Sequence, residues 1–124
     1  MLTKTLEILQ GKYFTQIWRS VCGDVLFFEA SDGTQFTMSH NQNCCEHVTI
    51  EDINGELSDL VGAPLLMAEE VTGNPREGDK KEPYDKSWTW TFYRFATHKG
   101  RVVIRWYGGS NGFYSESVEV KQIK

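Results

Sequence analysis

The sequence predicts an α+β domain: a mainly antiparallel, strongly curved sheet of about six or seven strands with two short helices. Three observations predict it. Over residues 34–39 apolar and polar side chains alternate, with Phe36 and Met38 on one face beside Thr34 and His40, and Gln35, Thr37 and Ser39 on the other. The last third of the chain is a run of aromatic and β-branched residues broken by glycine-rich turns. Two short segments carry apolar residues at helical spacing, each closed by a glycine.

Taken in order, residues 3–10 form the first short helix, capped by Thr3 or Thr5 and stopped at Gly11, with Leu2, Leu6 and Leu9 on one face. Strands follow over 13–19 and 24–30, the second built on Val25-Leu26-Phe27-Phe28. Ser31-Asp32-Gly33 has the chemistry of a hairpin turn leading into the strand at 34–39. The next strand is expected over 44–50, with Val48 and Ile50 on one face. Pairing of that strand near the hairpin would bring His40 and the cysteines to one rim. After a turn at 51–55, Glu56 to Val61 forms the second helix, closed by Gly62, and 65–71 returns to the sheet. Residues 72–86 hold two prolines, two glycines and mixed charges, and read as a long mobile loop. The remainder reads as a β-meander: strands over 88–97, 102–107 and 114–123, with turns at 98–100 and 108–112. The 124 residues make a single domain, 1–124, long enough to bury about two-thirds of its unfolded surface.

Charge is distributed unevenly. The net charge is −4, yet no lysine or arginine occurs between Arg19 and Arg76. That interval holds ten acids: Asp24, Glu29, Asp32, Glu46, Glu51, Asp52, Glu56, Asp59, Glu69 and Glu70. The flanks set thirteen basic residues against the seven remaining acids. A negative face of this kind attracts a basic partner and repels nucleic acid. Glu51, Asp52, Glu56, Asp59, Glu69 and Glu70 are the residues expected to meet that partner. A merely solvated acidic surface is the competing explanation.

The Cys/His cluster is the chemical landmark. His40, Cys44, Cys45 and His47 fall within eight positions, and zinc takes thiolate sulfur and imidazole nitrogen in a tetrahedron. Adjacent cysteines point to opposite faces of a regular strand, so both reach one ion only where the backbone bends. The competing reading is two buried thiols beside a surface histidine. His47 is the nearest fourth ligand, with Asp52 or a solvent molecule as alternatives, and Cys22 a further possible donor. Trp88, Trp90, Phe92 and Trp106, with Arg94 and Arg105 among them, suit either base stacking or a core row with outward arginines. No nucleophile–base pair, phosphate-binding loop or dinucleotide fingerprint is present, so the chain is not expected to be an enzyme. Three cysteines, no secretory signal and no apolar run of membrane-spanning length point to a reducing cytosol.

Several blocks occurring in order resemble a known family. They are Phe36-Thr37-Met38-Ser39-His40 with Cys44-Cys45-Glu46, then Ile50-Glu51-Asp52-Ile53-Asn54-Gly55 and Ala68-Glu69-Glu70. Trp88-Thr89-Trp90-Thr91-Phe92-Tyr93 and Ile104-Arg105-Trp106-Tyr107-Gly108 follow, and Tyr114-Ser115-Glu116-Ser117-Val118 closes the series. The chain resembles small phage and prophage proteins classed as a domain of unknown function, with a His-x3-Cys-Cys-Glu motif where His40, Cys44, Cys45 and Glu46 stand. Position 47 is often not histidine in that pattern, which sets His47 apart from the shared residues. In size, acidity and its Cys/His cluster the chain is also similar to zinc-containing type II anti-CRISPR proteins. The resemblance implies a phage-encoded inhibitor of a bacterial defence effector, Cas9 above all, that blocks target DNA loading or cleavage in the host cytoplasm. It would carry a structural zinc and bind neither nucleic acid nor membrane. The alternative is a module that sequesters a nucleotide second messenger on the aromatic strand, using Arg94 and Arg105. A small zinc hydrolase, with an open metal position, is the third reading.

Overall fold

Period-two alternation builds most of the molecule. The computed structural model describes residues 6–21, 23–41, 46–73, 87–110 and 116–124. Among them run β1 (Phe14–Arg19), β2 (Leu26–Ala30), β3 (Gln35–Ser39), β4 (His47–Asn54), β5 (Met67–Gly73), β6 (Ser87–Thr97), β7 (Gly100–Ser110) and β8 (Glu119–Gln122). They form two four-stranded antiparallel sheets, in the orders β1-β2-β3-β8 and β4-β7-β6-β5. The α+β expectation is therefore wrong, and the fold is nearly all β.

Neither expected helix is present among the described residues. Between Glu56 and Gly62 there is only a 3-10 turn, Leu57–Leu60, with Glu56 and Val61 in extended conformation on either side. Four residues cannot offset the cost of nucleating an α-helix, and i→i+3 bonds close so short a turn instead. From Leu6 onward the N-terminal segment likewise makes turns, with Leu9 N–H donating to Leu6 O at 3.0 Å and Lys12 N–H to Leu9 O at 3.1 Å. Residues 1–5, with the expected threonine caps, lie outside the described residues. An apolar pair three apart aligns on a 3-10 turn as well as on a helix, which is why Leu6 and Leu9 are buried as their spacing requires.

One hydrophobic core lies between the sheets. Phe14, Phe28, Phe36 and Met38 from the first meet Tyr93, Phe95, Ile104 and Trp106 from the second, all almost wholly buried. Phe28 and Phe95 cross the interface at 6.1 Å between ring centroids. Residues 62–66, which lead from the 3-10 turn into β5 of the second sheet, bond to both sheets. Gly62 N–H donates to Phe14 O at 2.9 Å and Leu65 N–H to Lys12 O at 2.9 Å, after which Leu66 N–H donates to Ala96 O at 2.8 Å. At the β2–β3 turn the Asp32 carboxylate accepts from Lys12 at 2.7 Å and from Thr34, which hold its carboxyl well below the usual carboxylate range.

Two pairings differ from the meander expected. β4 joins β7 in the second sheet instead of the β2–β3 hairpin, and it runs on through Glu51 to Asn54, where a turn was expected. A bulge between Ile50 and Asp52 permits this. Beside the bulge, Ile50 N–H donates to Asp24 Oδ1 at 3.3 Å, and Arg19 Nη2 donates to Ile50 O at 3.4 Å, covering the strand's outer edge. β8 pairs with β3, not with β7. β7 also continues through Gly108, Gly109 and Ser110, where a hairpin turn was expected. There a Cβ on Gly108 would sit 2.6 Å from Glu116 O, so the missing side chain lets the run into β8 cross β7 closely. Residues 74–86 of the expected loop lie outside the described residues; 72 and 73 belong to β5. No helix among the described residues is long and apolar enough to cross a membrane.

Candidate functional site

The alternation that buries Phe36 and Met38 carries on past the end of β3 and turns His40 inward, its side chain 4% exposed. Its Nδ1 lies 2.7 Å from Ser117 O, on the run into β8. A carbonyl oxygen only accepts, so Nδ1 carries the hydrogen. Nε2 then faces Glu46 Oε2 at 3.0 Å, and the Glu46 side chain is fully buried. As a hydrogen bond this contact takes one proton between Nε2 and Oε2. The pair thus ties the end of β3 to the start of β4, across the two sheets.

Parity explains which residue joins His40. Glu46, Val48 and Ile50 are buried, while His47 between them is exposed and meets Tyr107 edge-on at 6.2 Å between centroids. His47 therefore leaves on the outer face, and the structure does not bring it to His40. Glu46 occupies the place expected of it. The missed signal was in the sequence: Val48 and Ile50 inward put Glu46 inward too.

A zinc ion suits the donors that are described. A ligating histidine usually donates its other ring N–H to a carbonyl, as His40 does to Ser117, and zinc accepts carboxylate oxygen beside imidazole nitrogen. Cys44 and Cys45, like Cys22, lie outside the described residues. Among the described residues no group of three or more His, Cys, Asp or Glu side chains converges on a metal position.

A second polar cluster braces the same end of the molecule. The Glu116 carboxylate accepts from Thr89 Oγ1 at 2.7 Å and from Ser110 Oγ at 2.6 Å, next to the segment whose carbonyl anchors His40. Two residues further on, Tyr93 Oη donates to Val118 O at 3.4 Å. Burial, reinforced by the nearby Glu70 carboxylate, pushes the Tyr93 phenol up, so it stays a neutral donor.

The expected partner-binding acids do not form one patch. Glu51 and Asp52 are exposed on β4, and Glu56 is exposed just beyond it. Asp59 is half-buried in the 3-10 turn, its carboxylate filling the space where Gly100 would place a Cβ. Glu69 is exposed on β5, 4.0 Å from Arg94, and Glu70 is half-buried beside Tyr93. β4 and β5 are opposite edges of the second sheet, roughly 14 Å apart across three strand spacings.

Between those edges lies the aromatic row. Trp106 points inward with the core, as do Tyr93 and Phe95. Trp88, Trp90, Phe92, Arg94 and Arg105 take the outer face. Arg105 Cζ stands 4.9 Å over the Trp90 ring, and Trp90 meets Tyr107 at 5.3 Å. Of the two readings of this group, a stacking face or a core row with outward arginines, the arginines do point outward, but only Trp106 of the four aromatics joins the core.

No curated protein and no solved structure matches the chain. A family model does: that of a domain of unknown function, DUF7448, over residues 6–120, which takes in the His40–Glu46 pair and both sheets except the last two residues of β8. The chain therefore belongs to the DUF7448 family.

Proposed function

We propose that this protein is a phage-encoded, non-enzymatic inhibitor that acts by binding a basic surface of a bacterial defence effector, Cas9 first among them. The observation that carries the reading is the exposed acidic run Glu51, Asp52 and Glu56 on β4 and the turn beyond it. No lysine or arginine lies between Arg19 and Arg76. Cas9 holds its heteroduplex and displaced strand in positively charged channels, so an acidic edge competes for surfaces that DNA must occupy. Purified guide-loaded Cas9 tests this: equimolar protein should suppress target cleavage at least 10-fold. Full cleavage at a tenfold excess, with no complex in solution, sinks the Cas9 reading.

A structural zinc is part of the same proposal, with His40, Cys44, Cys45 and Glu46 as the donor set in place of His47. Bound there, it would supply a cross-link between the end of β3 and the start of β4. In zinc-finger peptides such a site contributes about 10–16 kcal/mol of apparent folding free energy. The Cys44→Ser, Cys45→Ser double variant should lose bound metal and melt at a lower temperature. Full metal occupancy in that variant removes the site.

The second-messenger alternative is less well supported by the outer face. Asp52 stands directly opposite Arg105 in the strand register, and Glu69 opposite Arg94 at 4.0 Å. Each arginine thus has a carboxylate as its cross-strand neighbour, which leaves less charge for a phosphate.

A further inference from the structure

We infer that the tip of the β1–β2 hairpin is the apolar anchor of the docking surface: Val21 enters a shallow apolar pocket on a protein partner, Trp18 rests on the rim of that pocket, and Glu51 on β4 meets a lysine or arginine beside it. The partner is the one proposed above, so its identity rests on that reading. Val21 is 108% exposed, whereas no other exposed large apolar side chain among the described residues passes 61%. Single apolar side chains on a surface are ordinary, so exposure alone decides nothing. Position and bracing decide. Hairpin tips favour Gly, Asn, Asp and Ser, each of which eases a tight turn, and a stiff β-branched valine does nothing for such a turn.

The tip is held firmly all the same. Gly23 N–H donates to Ser20 O at 2.9 Å across the turn, and Gly23 has φ at +90°, which suits glycine. Ser20 N–H donates to Val25 O at 2.8 Å, and Val25 N–H to Ser20 Oγ at 3.2 Å. Arg19 Nε adds a bond to Gly23 O at 2.7 Å. A loop ordered without burying its apolar residue suits a pre-formed binding surface, because little conformational entropy is left to lose when the partner arrives. Close by on β1, Trp18 stacks on Phe27 at 5.3 Å with the rings 13° from parallel, and 42% of it is exposed. Tryptophan is enriched among the few residues that carry most of the energy of an interface.

Two hydrogen bonds set the hairpin against the acidic run. Asp24 Oδ1 accepts from Ile50 N–H at 3.3 Å and Ile50 O accepts from Arg19 Nη2 at 3.4 Å, so the edges of the two sheets meet at the β4 bulge. The next residue along β4 is Glu51, which the bulge leaves out of the register with β7. Four other charged groups lie at this seam. Arg19 and Asp24 offset each other and are both bonded to Ile50, while Asp52 and Arg105 stand opposite each other in the register. Glu51 is exposed and makes no ion pair among the described residues, so it supplies the uncompensated charge. An apolar knob beside one free carboxylate fits a protein pocket with a basic residue at its margin. A lipid surface is disfavoured, because its phosphates would face the same carboxylate.

Affinity for purified guide-loaded Cas9 tests the anchor. Val21→Ser, Trp18→Ala and Glu51→Lys should each weaken binding about 10-fold, the loss expected of an interface hot spot. Trp18→Ala also unstacks Phe27, so Val21→Ser, with its melting temperature unchanged, carries the test. Leu66→Ser removes an apolar side chain 61% exposed at the other end of the sandwich and should leave affinity as it was. A complex weakened by Glu51→Lys but not by Val21→Ser overturns the anchor and leaves the inhibitor reading standing. An equal loss from Leu66→Ser overturns it too. If Cas9 does not bind the parent protein, the inhibitor reading fails, and a benzophenone side chain is placed at position 21 or 66 in living bacterial hosts. A protein cross-linked from 21 and not from 66, then identified, purified and weakened by Val21→Ser, keeps the anchor. The absence of any cross-link from 21 overturns it. So does a cross-link to a second copy, or binding to phosphatidylcholine vesicles that Val21→Ser abolishes.

Discussion

His40 and Glu46 show how a single buried contact can tie two strand ends together. Both side chains are withdrawn from solvent, Nδ1 is committed to Ser117 O, and Nε2 has Glu46 Oε2 at 3.0 Å. Removing one partner of a buried pair costs more than the pair itself is worth, because the survivor keeps its desolvation cost. Glu46→Ala in metal-free protein should therefore lose about 3 kcal/mol in urea unfolding, within the range for broken buried pairs. Glu46→Gln, whose amide N–H can donate to the bare Nε2 of a neutral His40, should lose only about 1 kcal/mol. Equal stability of Glu46→Ala and the parent protein would show that the contact does not hold the ends of β3 and β4 together.

At the scale of elements, glycine and the β4 bulge decide where strands stop. Gly55 ends β4 with φ at +112°, and a Cβ there would stand 2.6 Å from Arg101 O, in the backbone of β7. Both the left-handed conformation and the close approach exclude a side chain. Gly55→Ala should cost about 1–3 kcal/mol from backbone strain alone, lowering the melting temperature by roughly 4 °C for each kcal/mol. Calorimetry checks this, and an unchanged melting temperature would mean that the turn relaxes freely. Most strand positions were legible within two or three residues, because Phe36, Met38, Val48, Ile50 and the aromatic run alternate as half-buried strands must. The short helices were misread. Leu57, Leu60 and Val61 carry a spacing that a single 3-10 turn satisfies equally well, and six residues hold no further signal to separate the two.

Across the whole molecule, the asymmetric charge gives a kinetic signature. If the acidic interval steers a basic partner, association should slow at least 10-fold between about 0.05 and 0.5 M salt, as the Debye length shrinks to a few ångströms. Dissociation, governed by short-range contacts, should change little. Stopped-flow measurements at both salt concentrations separate the two, and a salt-insensitive association rate would remove charge steering from the account. What the sequence determined by itself was local: the strands, the turn chemistry, the acidic interval and the inward direction of His40 all follow from nearest-neighbour geometry along one chain. Which strands become neighbours was decided only in three dimensions. β4 and β8 exchange the partners that adjacency suggests, since burying both inner faces at once requires two sheets facing one another, and a hydrophobic pattern states which side is buried without naming what covers it. For the same reason Glu46 replaced His47 beside His40, and acids distant in sequence came to border one face.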